Sequence, residues 1–83
     1  MEKDVISCEL HDFVEVACMY KYQLKLTLKN GEVIEGKAID ILSINQQERL
    51  VVDDSGEKKQ VDLMVLAKMQ VLTPNAKFSE VVF

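Results

Sequence analysis

Apolar residues change their spacing near residue 22, and that change divides the chain into a helix followed by strands. Leu10, Phe13, Val14, Ala17 and Cys18 recur at intervals of three and one, so residues 7–20 read as an amphipathic helix. Two N-caps compete for its start. Ser7 would begin the regular helix near residue 8. Asp12, with Glu15 three residues on, has the spacing of a capping box and would begin it near residue 12. Both remain open, and the helix is placed at about residues 8–20. On a continuous helix Asp12 and Glu15 are neighbours at i, i+3, and His11 and Glu15 at i, i+4, which makes the polar face acidic.

From Tyr22 the period is two. Tyr22, Leu24, Leu26 and Leu28 alternate with Gln23, Lys25 and Thr27, the pattern of a half-buried strand. Lys29-Asn30-Gly31 is a tight hairpin turn, because Asn and Gly accept positive φ at low cost. A second strand is expected over Glu32–Leu42, bent at Gly36, since an interior glycine weakens a strand and often marks a bend or bulge. Ser43–Gln47 reads as a polar connection. A third strand follows over Glu48–Asp53, a turn at Asp54-Ser55-Gly56, a fourth strand over Glu57–Met64 and a fifth over Ala67–Leu72. Val61, Leu63, Met69 and Val71 are expected to face inward. Thr73-Pro74-Asn75 ends the sheet, and the alternating tail Phe78–Phe83 could pair on an edge. The whole predicts one domain over residues 1–83, mainly β with one N-terminal helix. The strands, about residues 22–72, form a small antiparallel β-barrel of about five, closed with the help of the bent second strand.

Length and composition narrow the class. Eighty-three residues support one modest core. No apolar run approaches the ~20 residues of a membrane span, and the N-terminus lacks the basic start and apolar stretch of a secretory signal. The expected location is the cytoplasm. There, Cys8 and Cys18 are expected as free, buried thiols, with a disulfide between them as an alternative. Cys8, His11 and Cys18, with Asp12 as a fourth ligand, match no zinc spacing.

Charge sharpens the picture. Residues 1–18 hold five acids and one base, a net charge of −4, whereas residues 19–83 hold nine of each. The formal charge of the protein is thus concentrated in one short N-terminal segment that includes most of the helix. Such a module suits a basic surface on another protein better than a phosphate backbone. The basic residues are scattered, only Lys58 and Lys59 are adjacent among those after residue 18, and there is no Trp for base stacking. Catalysis is not expected. The single His lies two helical turns from Cys18, about 10 Å along the axis, far beyond proton-transfer reach. Three glycines form no phosphate- or dinucleotide-binding pattern, so no cofactor is expected. The acidic helix is then either a solvated face that aids solubility or a docking face for arginines and lysines.

Two resemblances bear on that choice. Leu28-Lys29-Asn30-Gly31-Glu32-Val33-Ile34-Glu35-Gly36 resembles the first half of the Sm motif, with the hairpin glycine, a second glycine five residues on and a bent strand. Asp40 follows Gly36 by four residues where Sm proteins usually leave six, and the Met-Asn and Arg-Gly elements of their RNA pocket do not follow. This resemblance implies an Sm-like fold, with an Sm-like RNA-binding module as the alternative function.

The second resemblance is to the Rho-binding antiterminator family, the Rof-like proteins of bacteria. It is carried by Ile6-Ser7-Cys8, Asp12-Phe13-Val14-Glu15-Val16-Ala17-Cys18, Leu26–Glu32, Lys37-Ala38-Ile39-Asp40, Leu50-Val51-Val52 and Gly56-Glu57, in order, over about residues 6–73. It implies a small Sm-like inhibitor that binds the N-terminal RNA-binding region of the termination factor Rho and blocks RNA loading. It also implies a protein partner with no direct nucleic-acid contact, no membrane and a free monomer. The implied contact surface is the helix, with Asp12 and Glu15, and the loop holding Asn45 and Gln46; Glu9 and His11, beside them on the helix, are further expected contact residues.

Overall fold

A computed structural model describes residues 8–83, with side chains from Leu10 onward. One helix, α1 (Cys8–Met19), precedes six strands: β1 (Gln23–Leu28), β2 (Val33–Ile44), β3 (Gln47–Asp54), β4 (Glu57–Asp62), β5 (Leu66–Val71) and β6 (Glu80–Val82). All pair antiparallel in one sheet of order β4-β3-β2-β1-β5-β6. The class is as expected: mainly β with one helix. The closed barrel of about five strands is not. The sheet has six strands and stays open, because β4 and β6 are its edges and do not pair.

Helix α1 is continuous through Asp12, which overturns the capping-box start. Asp12 lies inside the helix, where its backbone is already committed to helical bonds, and its side chain faces solvent. The competing cap, Ser7, lies outside the described residues. Val14 and Ala17 have no exposed surface, and Leu10, Phe13, Val16 and Cys18 pack around them. The helix ends in a Schellman motif. The Tyr22 N–H donates to the Ala17 carbonyl at 3.0 Å and the Lys21 N–H to the Cys18 carbonyl at 3.2 Å. Lys21 takes the left-handed position, φ 53°, usually given to glycine.

The β1–β2 connection is a three-residue loop in which Gly31, φ 93°, supplies the left-handed residue and its N–H donates to the Leu28 carbonyl. Strand β2 changes partner along its length. Residues 33–37 pair with β1, and residues 37–44 with β3. The register irregularity of β2 is a bulge at Ile39. Gly36 allows a close approach between strands. A Cβ there would sit 3.0 Å from the Asp53 carbonyl oxygen and 3.1 Å from the Val52 Cβ, so any larger residue would need β3 to give by a few tenths of an ångström.

The expected polar connection at 43–47 shrinks to two residues. Strand β2 runs on to Ile44, β3 starts at Gln47, and Asn45 and Gln46 turn the chain with φ values of 50° and 67°. Two left-handed residues match the right-handed twist of the flanking strands. Ser55-Gly56 closes the β3–β4 hairpin in the same way. The end of the expected fourth strand is a 3₁₀ turn, Leu63–Val65, capped by the Asp62 side chain, which accepts from the Met64 N–H at 2.9 Å. Leu63 still faces the core as expected.

The core is the inner face of the sheet with α1 laid across it. Leu24, Leu26, Leu50, Val52, Leu66 and Met69 are fully buried. The tail does pair, as β6 on β5, and Val81 joins the core. The segment before β6 fastens the helix. The Phe78 ring meets Phe13 edge-on at 5.0 Å and Tyr22 at 5.9 Å, and the Lys77 N–H donates to the Tyr22 hydroxyl at 2.9 Å. Among the described residues, no helix is long and apolar enough to cross a membrane.

Candidate functional site

Helical geometry dictates which acids stand out. With Val14 and Ala17 against the sheet, Asp12 and Glu15 project to the opposite side, and both are exposed. His11 sits at the margin, 23% exposed, and joins the helix to the sheet. Its Nδ1 lies 3.8 Å from Glu15 Oε1, and its Nε2 lies 2.9 Å from Glu48 Oε1. The second contact is short but is not aligned as a hydrogen bond, and it is an ion pair only when the imidazole is protonated.

Glu48 lies two residues beyond the Asn45-Gln46 turn, about 7 Å from Gln46 by the rise of a strand. The structure therefore brings His11, Glu15 and Glu48 into contact, places Asp12 beside them on the helix, and sets Asn45 and Gln46 at the near end of β3. Of the expected contact residues, only the side chain of Glu9 lies outside the described residues, as does the thiol of Cys8.

Among the described residues, no Lys or Arg forms an ion pair with the carboxylates of this face. Among the described residues, the Lys and Arg ion pairs join Lys59 to Asp54 at 3.2 Å and Lys68 to Glu80 at 3.9 Å, both elsewhere. Cys18 is a free, half-buried thiol. Burial first, then the negative charges of Asp40 and Glu15, push its pKa up to about 11 against the opposing pull of Lys21. Asp40 therefore adds to the negative potential beside the helix.

Sequence reasoning missed Glu48 and Asp40. Both lie in strands and reach the helix only through the fold. The one signal for Glu48 was its closeness to the polar turn.

The donor atoms of His11, Asp12 and Glu15 lie within 4.8 Å of one another, close enough to share a cation. Two carboxylates suit a hard cation and the imidazole suits a first-row transition metal, so the set is chemically mixed. It differs from the Cys8, His11 and Cys18 grouping that the sequence offered.

Known proteins agree with this architecture. The family model described as modulator of Rho-dependent transcription termination (ROF) matches residues 5–83. "Protein rof" of Escherichia coli strain K12 is 40% identical over 58 residues, covering 70% of this chain and 69% of the relative. The protein of the same name from Shigella flexneri matches equally well. A solved structure titled "YaeO bound to Magnesium from Vibrio cholerae O395" superposes with a TM-score of 0.79 at 28% identity, covering 100% of this chain and 99% of that one. The matched profile spans the helix, all six strands and the fastening tail, so this chain belongs to the Rof family of modulators of Rho-dependent transcription termination.

Proposed function

We propose that this protein binds Rho as a monomer in the cytoplasm and withholds RNA from Rho's N-terminal RNA-binding region, so that termination fails. Asp12 and Glu15 form the centre of the contact, with Glu9 and His11 beside them on the helix and the amides of Asn45 and Gln46 at its edge. The observation that carries this reading is that Asp12 and Glu15 stand exposed with no Lys or Arg ion pair among the described residues.

The physical case starts from the partner. A surface that holds single-stranded RNA must present Arg and Lys to a phosphate chain. A carboxylate accepts the same charge-assisted hydrogen bonds as a phosphate oxygen. Three or four carboxylates on a rigid helix and strand therefore offer such a surface a substitute without the entropic cost of ordering RNA. The burial of Val14 and Ala17 and the Phe13–Phe78 packing hold the helix against the sheet, so the spacing of those charges is set before binding. Binding needs neither a reaction nor a cofactor.

The test is capture of Rho by immobilised protein, comparing wild type with Asp12→Lys plus Glu15→Lys. Replacing attraction with repulsion at two central positions is expected to weaken capture by about tenfold or more. Unchanged capture would refute the docking face. Filter binding of single-stranded RNA at two salt concentrations addresses the other reading. Tight, steeply salt-dependent binding of RNA by this chain alone would favour an RNA-binding module.

A further inference from the structure

Next to the Asn45-Gln46 turn lies an open cleft of about 410 Å³, lined by Asn45, Gln46, Gln47, Asp62 and Met64. We infer that this cleft is a receptor for a guanidinium group, supplied by an arginine side chain of the protein partner. That the arginine comes from a protein rests on the docking reading above. That the cleft prefers a guanidinium does not.

Asp62 is the chemical centre. Its Oδ1 accepts from the Met64 N–H at 2.9 Å, and the carboxylate has no Lys or Arg ion pair among the described residues. Arg49 is its direct neighbour across the β3–β4 ladder and would ordinarily neutralise it. Instead the Arg49 guanidinium turns to flanking amides, reaching Gln60 Oε1 at 3.5 Å and Gln47 Oε1 at 3.4 Å. Asp62 therefore has no direct ion pair among the described residues and is open to an outside cation, although Arg49 stays beside the cleft.

The rest of the lining suits one kind of cation. A guanidinium is flat, weakly hydrated and carries its donors around its edge, whereas an ammonium is compact and strongly hydrated. Met64 offers a soft, polarisable side chain for the flat face. Asn45 and Gln46 offer carbonyl acceptors for the edge donors that Asp62 does not use. A nucleobase could use the same amides, but its phosphate would meet the Asp62 carboxylate in the lining, and the neighbouring Arg49 is already bonded to Gln60 and Gln47.

The backbone adds a further indication. Gln46 holds φ 67°, where glycine would be free of strain, so an amide side chain stands at the cleft where glycine would suit the turn better.

The experiment follows amide and methionine-methyl NMR signals of the full chain, without Rho, against three probes: N-acetylarginine amide, N-acetyllysine amide and uridine monophosphate. The arginine probe is expected to shift the Gln46 and Gln47 side-chain amides and the Met64 methyl saturably, about fivefold tighter than the lysine probe. Asp62→Asn keeps a capping side chain for Met64 while removing the charge, and should weaken the arginine probe about fivefold. Asp12→Lys plus Glu15→Lys should leave its affinity within about twofold, since those residues do not line the cleft. The inference is overturned if no saturable shift occurs, if lysine binds equally well, if Asp62→Asn has no effect, or if uridine monophosphate is preferred. Because Rho is absent, each of these results leaves the docking face on the helix to be judged by Rho capture.

Discussion

Gly36→Ala is the substitution whose effect the structure states most sharply, because two physical effects oppose each other. In a strand with open space, alanine for glycine should stabilise by ~0.4–1 kcal/mol, mainly by restricting the unfolded chain. Here the added methyl would sit 3.0 Å from the Asp53 carbonyl oxygen, 3.1 Å from the Val52 Cβ and 3.2 Å from the Asp53 carbonyl carbon. These neighbours belong to the backbone and Cβ of β3, not to a flexible side-chain end, so relief requires strand β3 to move. Overpacking of this kind costs ~1–3 kcal/mol. The net expectation is a loss of ~1–2 kcal/mol, or a melting temperature lower by ~5–15 °C for a domain of this size. Thermal and urea unfolding followed by circular dichroism measure it, with the urea m-value unchanged if only the native state is affected. A melting temperature equal to or above wild type would refute the close-approach account of this glycine.

Three other outcomes follow from the same structure. Gln46→Gly relieves a left-handed glutamine at φ 67° and should raise stability by ~0.5 kcal/mol while weakening Rho capture. Thermal melting and capture together check that opposition, and a loss in both would contradict it. Cys18, with its pKa pushed up to about 11, should stay a neutral thiol at pH 8 and react slowly with iodoacetamide until urea unfolds the chain, as peptide mapping will show. The folded state holds this proton more tightly than the unfolded chain, with its ordinary value of 9.0. The stabilising contribution is therefore present below pH ~9 and lost as pH rises through ~11. Urea midpoints at pH 8 and pH 10.5 should differ less in Cys18→Ala than in wild type.

How much of this was legible in the sequence depended on whether the controlling physics was local. The helix showed through the 3–4 spacing that ends with Val14 and Ala17 fully buried. Asn30-Gly31 and Ser55-Gly56 showed their turns because glycine supplies the left-handed residue that the backbone needs. Asn45-Gln46 hid its two-residue turn because glutamine is not a turn former, and the connection was read as longer than it is. The close approach at Gly36 was hidden, since a glycine that allows a neighbouring strand to approach looks the same in sequence as one that bends its own. The bulge at Ile39 carries no sequence mark. The open sheet was also hidden, because alternation says which residues face inward and not which edges meet. Asp12, Glu15 and His11 could be placed on one helix from spacing alone. The contact of His11 with Glu48, across 37 positions, and the free charge of Asp62 beside Arg49 needed the fold.

The central claim is that the acidic face of α1 takes the place of RNA on Rho. The direct measurement is displacement of a fluorescent single-stranded RNA from Rho, followed by anisotropy as this protein is added. The account predicts full, saturable displacement by wild type, with a midpoint at least about tenfold higher for Asp12→Lys plus Glu15→Lys. Persistence of the RNA on Rho at saturating wild-type protein, or equal displacement by the charge-reversed variant, would contradict it.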